Sequence, residues 1–149
     1  MPMDVKSYLT GYADGEGCFC VSINRSQRHR FGWEIRPSFS VSQNRDRAEV
    51  LEMLKAYFGC GTIRPDRSDK TLKYEVRSLD DLIERVIRHF EENPFLSGKR
   101  RDFEKFARIC RTMHVGQHLI KDGFNQIVDL AFEMNPSGIR KYSKKEIKI

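Results

Sequence analysis

Hydrophobic and polar positions alternate with period two in four stretches, and three- and four-residue spacing takes over between them. From residue 18, Phe19, Val21 and Ile23 fall on one side, and Cys18, Cys20, Ser22 and Asn24 on the other. After a basic turn around 27–30 the alternation resumes. Trp33, Ile35, Pro37, Phe39 and Val41 share one face, opposite Glu34, Arg36, Ser38, Ser40 and Ser42. Pro37 predicts a bulge or an unpaired N–H in that strand. A second hairpin sets Thr62, Arg64 and Asp66 against Ile63, then Thr71, Lys73, Glu75 and Arg77 against Leu72, Tyr74 and Val76. Helical spacing predicts a helix over about 5–14 capped by Asp4 and ended by the Gly15/Gly17 pair. Another spans about 47–58, capped by Asp46 and ended by Gly59. A third follows Ser78, with Leu79, Leu82, Ile83, Val86, Ile87 and Phe90 as its buried stripe, and stops at Asn93-Pro94. Further helices are expected near 98–113 and 122–134, then a turn at 135–138 and a basic tail from Arg140. The order α-β-β-α-β-β-α-α implies an α+β fold. Two hairpins form a four-stranded antiparallel sheet, with helices on its apolar face.

The 149 residues suffice for one domain, with a core over about 5–135 and a basic C-terminal tail over 136–149. A hydrophobic content of 39% against 32% charged residues fits a soluble globular chain. No apolar run approaches the roughly 18 residues of a membrane span, and the first residues lack a signal peptide's apolar core. Four cysteines at irregular spacing do not make a disulfide framework, so an intracellular, reducing setting is expected, whether bacterial cytoplasm or an organelle matrix.

The net charge of +6 is unevenly placed. Residues 18–48 hold six Arg against Glu34 and Asp46, and residues 99–149 carry a net +6, whereas 78–98 carry −3. Such segregation points to a surface for a polyanion. The polar sheet face presents Ser22, Asn24, Arg36, Ser38, Ser40, Thr62, Arg64, Asp66, Lys73, Glu75 and Arg77, bounded by Arg25, Arg28 and Arg30 in one turn and Arg67 and Lys70 in the other. That mixture combines phosphate-binding cations with groups able to read base edges: Arg for guanine, Asn for adenine, Asp or Glu for cytosine. A strand of about 8 residues spans roughly 27 Å, about 8 base pairs at 3.4 Å rise. Double-stranded DNA is therefore the expected partner.

The segment Leu9-Thr10-Gly11-Tyr12-Ala13-Asp14-Gly15-Glu16-Gly17 is a helix ending in two carboxylates and feeding a strand. Carboxylates oppose the partial negative charge of a helix C-terminus, so a cation is expected there, and the segment is a candidate metal site. Cys18-x-Cys20 finds no second Cys/His pair to complete a zinc set. Cys110, His114 and His118 would share one face if their helix continued through Gly116, and a packing or DNA-side face is the simpler account.

Residues 9–17 resemble the signature of the LAGLIDADG homing endonucleases. Leu9, Gly11, Asp14 and Gly17 match that string; Thr10, Tyr12 and Ala13 depart from it, Gly15 is a frequent variant, and Glu16 replaces the last aspartate while keeping the carboxylate. The order αββαββα is also the family's, and the resemblance covers about 5–135. A single copy of the motif implies the homodimeric subgroup, whose motif helices pack together; here Tyr8, Leu9, Gly11, Tyr12, Ala13 and Gly15 would form the interface. The resemblance implies that Glu16 and the Gly15 carbonyl hold a divalent metal. Gln43, Lys99 and Arg47 would join Glu16 as catalytic residues, and Asp14 would orient the helix end. Oxygen ligation suggests Mg²⁺, with Mn²⁺ able to substitute. The implied activity is intron-encoded, site-specific hydrolysis of both strands of a pseudo-palindromic target of about 20 base pairs, as the two-fold symmetry requires. The alternatives are a DNA-binding regulator that has lost cleavage and a maturase that binds intron RNA.

Overall fold

A computed structural model of the chain describes residues 2–68, 70–135 and 140–149. Of the turn expected at 135–138, residues 136–138 lie outside this set. Asp4 caps helix α1 (Val5–Glu16), its carboxylate accepting from the Ser7 amide at 3.3 Å and the Ser7 hydroxyl at 2.7 Å. The helix reaches Glu16 and passes without a loop into strand β1 (Gly17–Arg25). Gly17 is extended, and its N–H donates to the Ala13 carbonyl. A Cβ at this position would lie 2.7 Å from that carbonyl oxygen, so any larger residue forces the joint apart.

The sheet has the order β1-β2-β4-β3 and is antiparallel throughout, formed by β1, β2 (Trp33–Asn44), β3 (Thr62–Pro65) and β4 (Thr71–Val76). The alternation read from the sequence is the burial pattern observed: Phe19, Val21, Ile23, Trp33, Ile35, Phe39 and Val41 are buried. The expected bulge at Pro37 is absent. The register from Gly17↔Val41 to Arg25↔Trp33 is unbroken, and Pro37 lies beyond the stretch in which β2 also pairs with β4. Asp46 does not cap the next helix. It lies within a 3₁₀ turn (Arg45–Arg47) tied to the second hairpin by the Arg45 N–H donating to the Lys70 carbonyl at 2.8 Å. This delays α2 (Glu49–Phe58) until after Ala48. Gly59 ends α2 in the left-handed region, φ 69°.

Helix α3 spans 79–92, with α-helical Leu79–Asp81 and Arg88–Glu92 flanking a π-helical Leu82–Ile87. Helices α4 (Lys99–His114) and α5 (Lys121–Glu133) complete the layer over the apolar sheet face. Because α4 stops at His114 and Gly116 takes φ 81°, Cys110, His114 and His118 do not share a helix face. Phe19 centres the core, its ring 4.9–5.7 Å from those of Phe39, Phe90, Phe95, Phe103 and Phe106. Each such pair adds about 0.5–1.5 kcal/mol beyond burial. Among the described residues, no helix is long and apolar enough to cross a membrane.

The segment expected to be a basic tail is docked. Ile147, in the short helix α6 (Lys144–Ile147), is buried, Lys144 and Lys148 pair with Asp129, and Arg140 donates to the Val21 and Ala131 carbonyls, each at 2.8 Å. With Asn135 donating to the Phe19 carbonyl at 2.9 Å, these side chains occupy acceptors on the free edge of β1.

A buried polar chain fixes α1 from beneath. The Thr10 hydroxyl donates to the Asn93 carbonyl at 2.9 Å, so its oxygen accepts from His89 Nε2 at 3.0 Å. His89 Nδ1 then accepts from the Tyr57 hydroxyl at 2.8 Å. Burial, with the Lys6 charge adding and Glu92 opposing, pushes the His89 imidazole down to about 4. Its folded value thus lies below its unfolded one, near 6.5, so the unfolded chain binds more protons between the two. Stability contributed by neutral His89 is complete above about pH 6.5 and is lost as pH falls toward 4. Urea midpoints should fall between pH 7 and pH 5 in the wild type and change less in His89→Gln; equal slopes would contradict this role.

Candidate active site and nucleic-acid interface

Four elements meet at the α1–β1 joint. Glu16, the last residue of α1, is exposed, and among the described residues its carboxylate makes no hydrogen bond or ion pair. Asp14, two residues earlier on the other side of the helix, is committed elsewhere, accepting from the Ser97 amide at 3.3 Å and from the Ser97 hydroxyl. Ser97 Oγ also accepts from the Lys99 amide at 3.2 Å, so Asp14 pins the first turn of α4 against the motif. Lys99 Nζ donates to the Gly17 carbonyl. The cation demanded by a helix C-terminus with two carboxylates is thus supplied in part by Lys99.

Gln43, near the end of β2, is drawn to the same place. Its Nε2 donates to the Tyr12 hydroxyl, and its Oε1 accepts from the Asn44 amide at 2.7 Å. Arg47 stands apart in the exposed 3₁₀ turn, with Asp46 at 3.6 Å. The geometry therefore gathers Glu16, Gln43 and Lys99 around one joint and leaves Arg47 at its periphery. Sequence reasoning missed Ser97 and the Thr10–His89–Tyr57 chain. A serine two residues before a lysine carries no signal, and Thr10 shows its purpose only when α3 lies beneath it.

The donor set fits a divalent cation incompletely. Among the described residues, no three His, Cys, Asp or Glu side chains converge on a metal-sized space. One chain offers the unpartnered Glu16 carboxylate and the Gly15 carbonyl, which sits in the last helical turn where no i+4 amide of the helix can reach it. Both are hard oxygen donors of the kind Mg²⁺ takes, and two protein donors alone fall short of its octahedral set.

The expected helix interface divides. Leu9 and Ala13 are 0% exposed and belong to the protein's own core, one helical turn apart on the inner side of α1, so they cannot form a seam. Tyr8, Gly11 and Gly15 are exposed, Tyr12 is half-buried, and both glycines have open space where a side chain would stand.

The polar sheet face forms as expected, with corrections at Glu75 and Ser40. Glu75, expected to read cytosine, is only 7% exposed, and cations occupy its oxygens: Arg64 at 2.9 Å, Arg77 at 2.9 Å and Lys73 at 3.6 Å. Burial alone would raise its carboxyl, but the Arg64 hydrogen bond and the charges of Lys73, Arg77 and Arg64 hold it below the usual carboxylate range. Arg25 is exposed, and its guanidinium stacks over Trp33 at 4.6 Å and Tyr142 at 5.4 Å, a face-on contact that leaves the N–H donors at its edge unused. Ser40 is buried, the Ser22 hydroxyl donates to the Arg36 carbonyl, and Asp66 accepts from the Ser42 hydroxyl at 3.0 Å. Asn24, Arg28, Arg30, Arg36, Arg64, Arg67, Lys70 and Arg77 are exposed, while Ser38 and Lys73 are half-buried.

A family model described as LAGLIDADG endonuclease matches residues 9–110. "Probable intron-encoded endonuclease 3" of Neurospora crassa is 32% identical over 127 residues, which covers 85% of this chain and 24% of that protein. The chain spans about a quarter of the length of such curated fungal relatives. Among solved structures, the archaeal intron-encoded homing endonuclease I-Vdi141I complexed with DNA superposes with a TM-score of 0.89 at 30% identity, covering 96% of this chain and 91% of that one. I-SmaMI bound to uncleaved DNA target in the presence of calcium ions gives a TM-score of 0.85 at 25% identity, with 94% of this chain covering 47% of that one.

Tyr12→Phe removes the acceptor that holds Gln43 and should cost about 1 kcal/mol of unfolding free energy in urea. Tyr8→Phe, whose hydroxyl bonds to no described residue, should cost nothing measurable; equal effects would refute the Tyr12–Gln43 link.

Proposed function

The chain belongs to the LAGLIDADG endonuclease family, and from that premise we propose that it is a site-specific double-strand DNA endonuclease acting as a homodimer. The observation that carries this reading is the position of Glu16. Its free carboxylate stands where the exposed Tyr8–Gly11–Gly15 side of α1 meets the basic polar face of the sheet. In this reading the 149 residues work as one domain, the docked C-terminal segment included.

Two copies are required because one supplies half of the carboxylates. Small residues let helix backbones approach closely, and Gly11 and Gly15 leave that space on the outer side of α1. Coverage of 47% of I-SmaMI supports the same arithmetic, since the fold amounts to half of that DNA-bound chain. The target is a duplex of about 20 base pairs, two-fold symmetric like the protein. The cations of the sheet face bind its phosphates and make affinity steeply salt-dependent.

Glu16 and the Gly15 carbonyl of each copy would hold the divalent ion, with Mg²⁺ as the physiological choice and Mn²⁺ able to substitute. When bound, the ion lowers the pKa of a water and stabilises the leaving oxygen. The remaining groups are the chain's own. The Lys99 ammonium offsets charge developing on the scissile phosphate, Gln43 orients the attacking water from a position fixed by Tyr12, and Arg47 contacts the backbone alongside.

Incubating the protein with a duplex library and Mg²⁺ and sequencing the ends should reveal double-strand breaks at one pseudo-palindromic site, abolished by chelation. Glu16→Gln should lower cleavage at least about a hundredfold while duplex affinity stays within about threefold. A variant cutting at the wild-type rate would overturn the assignment. Gly11→Phe should keep the fold but lose two-chain assembly and cleavage together. If it cuts normally, the seam lies elsewhere.

A further inference from the structure

The polar sheet face holds a charge cluster that the cleavage chemistry does not use. By cross-strand register Glu75 stands opposite Ser40 and Thr62, and Ser40 stands opposite Cys18, two residues beyond Glu16. Glu75 therefore lies in the polar-face row just past the α1–β1 joint, and the adjoining Ser42–Lys73–Arg64 row stands level with the joint's other side. It is 7% exposed beside Ser40 at 8%, although most of that face of the sheet is solvated. One of its oxygens, Oε1, lies 2.9 Å from Arg64 Nη2 and 2.9 Å from Arg77 Nε, and the other lies 3.6 Å from Lys73 Nζ. A buried carboxylate is costly unless paired. Here three cations surround one anion, and the cluster keeps an excess of positive charge.

The atoms engaged matter. Arg77 meets Glu75 through Nε, which leaves its Nη1–Nη2 edge without a partner among the described residues; Arg64 meets it through a single Nη2–H, so its second Nη2–H still makes one two-donor edge with a neighbouring N–H. Both side chains are half exposed. A guanidinium fixed at one edge has lost rotamer freedom and offers its other donors at a set place. A guanine, with O6 and N7 side by side, accepts such a donor pair, whereas a phosphate accepts it at any sequence. Ion pairing that served only to quiet repulsion among three cations would stabilise the sheet without selecting bases.

Resting on the DNA-endonuclease reading, we propose that Glu75 is a positioning residue for target discrimination, fixing Arg64 and Arg77 to read guanines in the base pairs of each half-site nearest the cleavage centre. The test is a binding selection in Ca²⁺ on partly randomised duplexes, using the full chain and the variants Glu75→Gln, Glu75→Asp, Arg64→Gln and Arg77→Gln. Glu75→Gln should weaken guanine preference at one or two central half-site positions by about tenfold. Preferences elsewhere and the salt dependence should hold within about twofold, and Glu75→Asp should restore part of the loss. Arg64→Gln and Arg77→Gln should each lose preference at a position affected by Glu75→Gln. They decide the matter if Glu75→Gln fails to fold, for both side chains are half exposed. An unchanged base profile, or an equal loss at every position with a lowered melting temperature, would overturn the proposal. A wild-type protein that selects no sequence would instead sink the endonuclease reading itself.

Discussion

The joint between α1 and β1 is the constraint on which the rest of the structure depends. A helix becomes a strand with no intervening loop, which is possible because Gly17 packs against the Ala13 carbonyl at a distance that excludes a side chain. One consequence is the placement of Glu16 at the rim of the sheet. Another is that the two sides of α1 diverge in role. Leu9 and Ala13 enter the core while Gly11 and Gly15 look outward, two residues and so about 200° apart around the helix. A loop of even two residues would uncouple the carboxylate from both surfaces.

Around this joint, polar groups are satisfied in a way that sorts structural residues from those left available. Asp14 is held by Ser97, Gln43 by Tyr12 and Asn44, and Thr10 by Asn93 and His89. Glu16 alone among these makes no bond to the protein among the described residues. A carboxylate at the negative end of a helix, without a protein cation of its own, is unfavourable in isolation. Its place is rational once a cation and a polyanion are to be brought together there. Lys99, anchored on the Gly17 carbonyl, lowers the electrostatic cost from the neighbouring side.

Most of the architecture was legible because a half-buried antiparallel sheet writes its period directly into the sequence. Phe19, Val21 and Ile23 needed no tertiary information to be placed. Other features were illegible for definable reasons. Asp46 looks like a helix cap, yet the tie from Arg45 to the second hairpin decides where the helix begins. Leu9, Gly11, Ala13 and Gly15 all read as residues a helix seam could use, and only the packing of α1 on the sheet separates inner from outer. Glu75 reads as an exposed strand residue because its partner Arg64 is supplied by another strand, and register, not sequence distance, brings them together. In the site, the carboxylate was identifiable from its helix-terminal position and motif, whereas the supports Ser97 and Tyr12 required the fold.

The proposed pairing of the chain with itself rests on one copy of the motif, a carboxylate without a partner among the described residues and an exposed pair of glycines. The most direct measurement is native mass spectrometry of the full chain on its cleavable duplex, with Ca²⁺ present, across a range of protein concentrations. The account predicts that the specific complex contains two chains per duplex and that no one-chain complex survives on to cleavage when Mg²⁺ is added. A single chain per duplex that cuts both strands would contradict it.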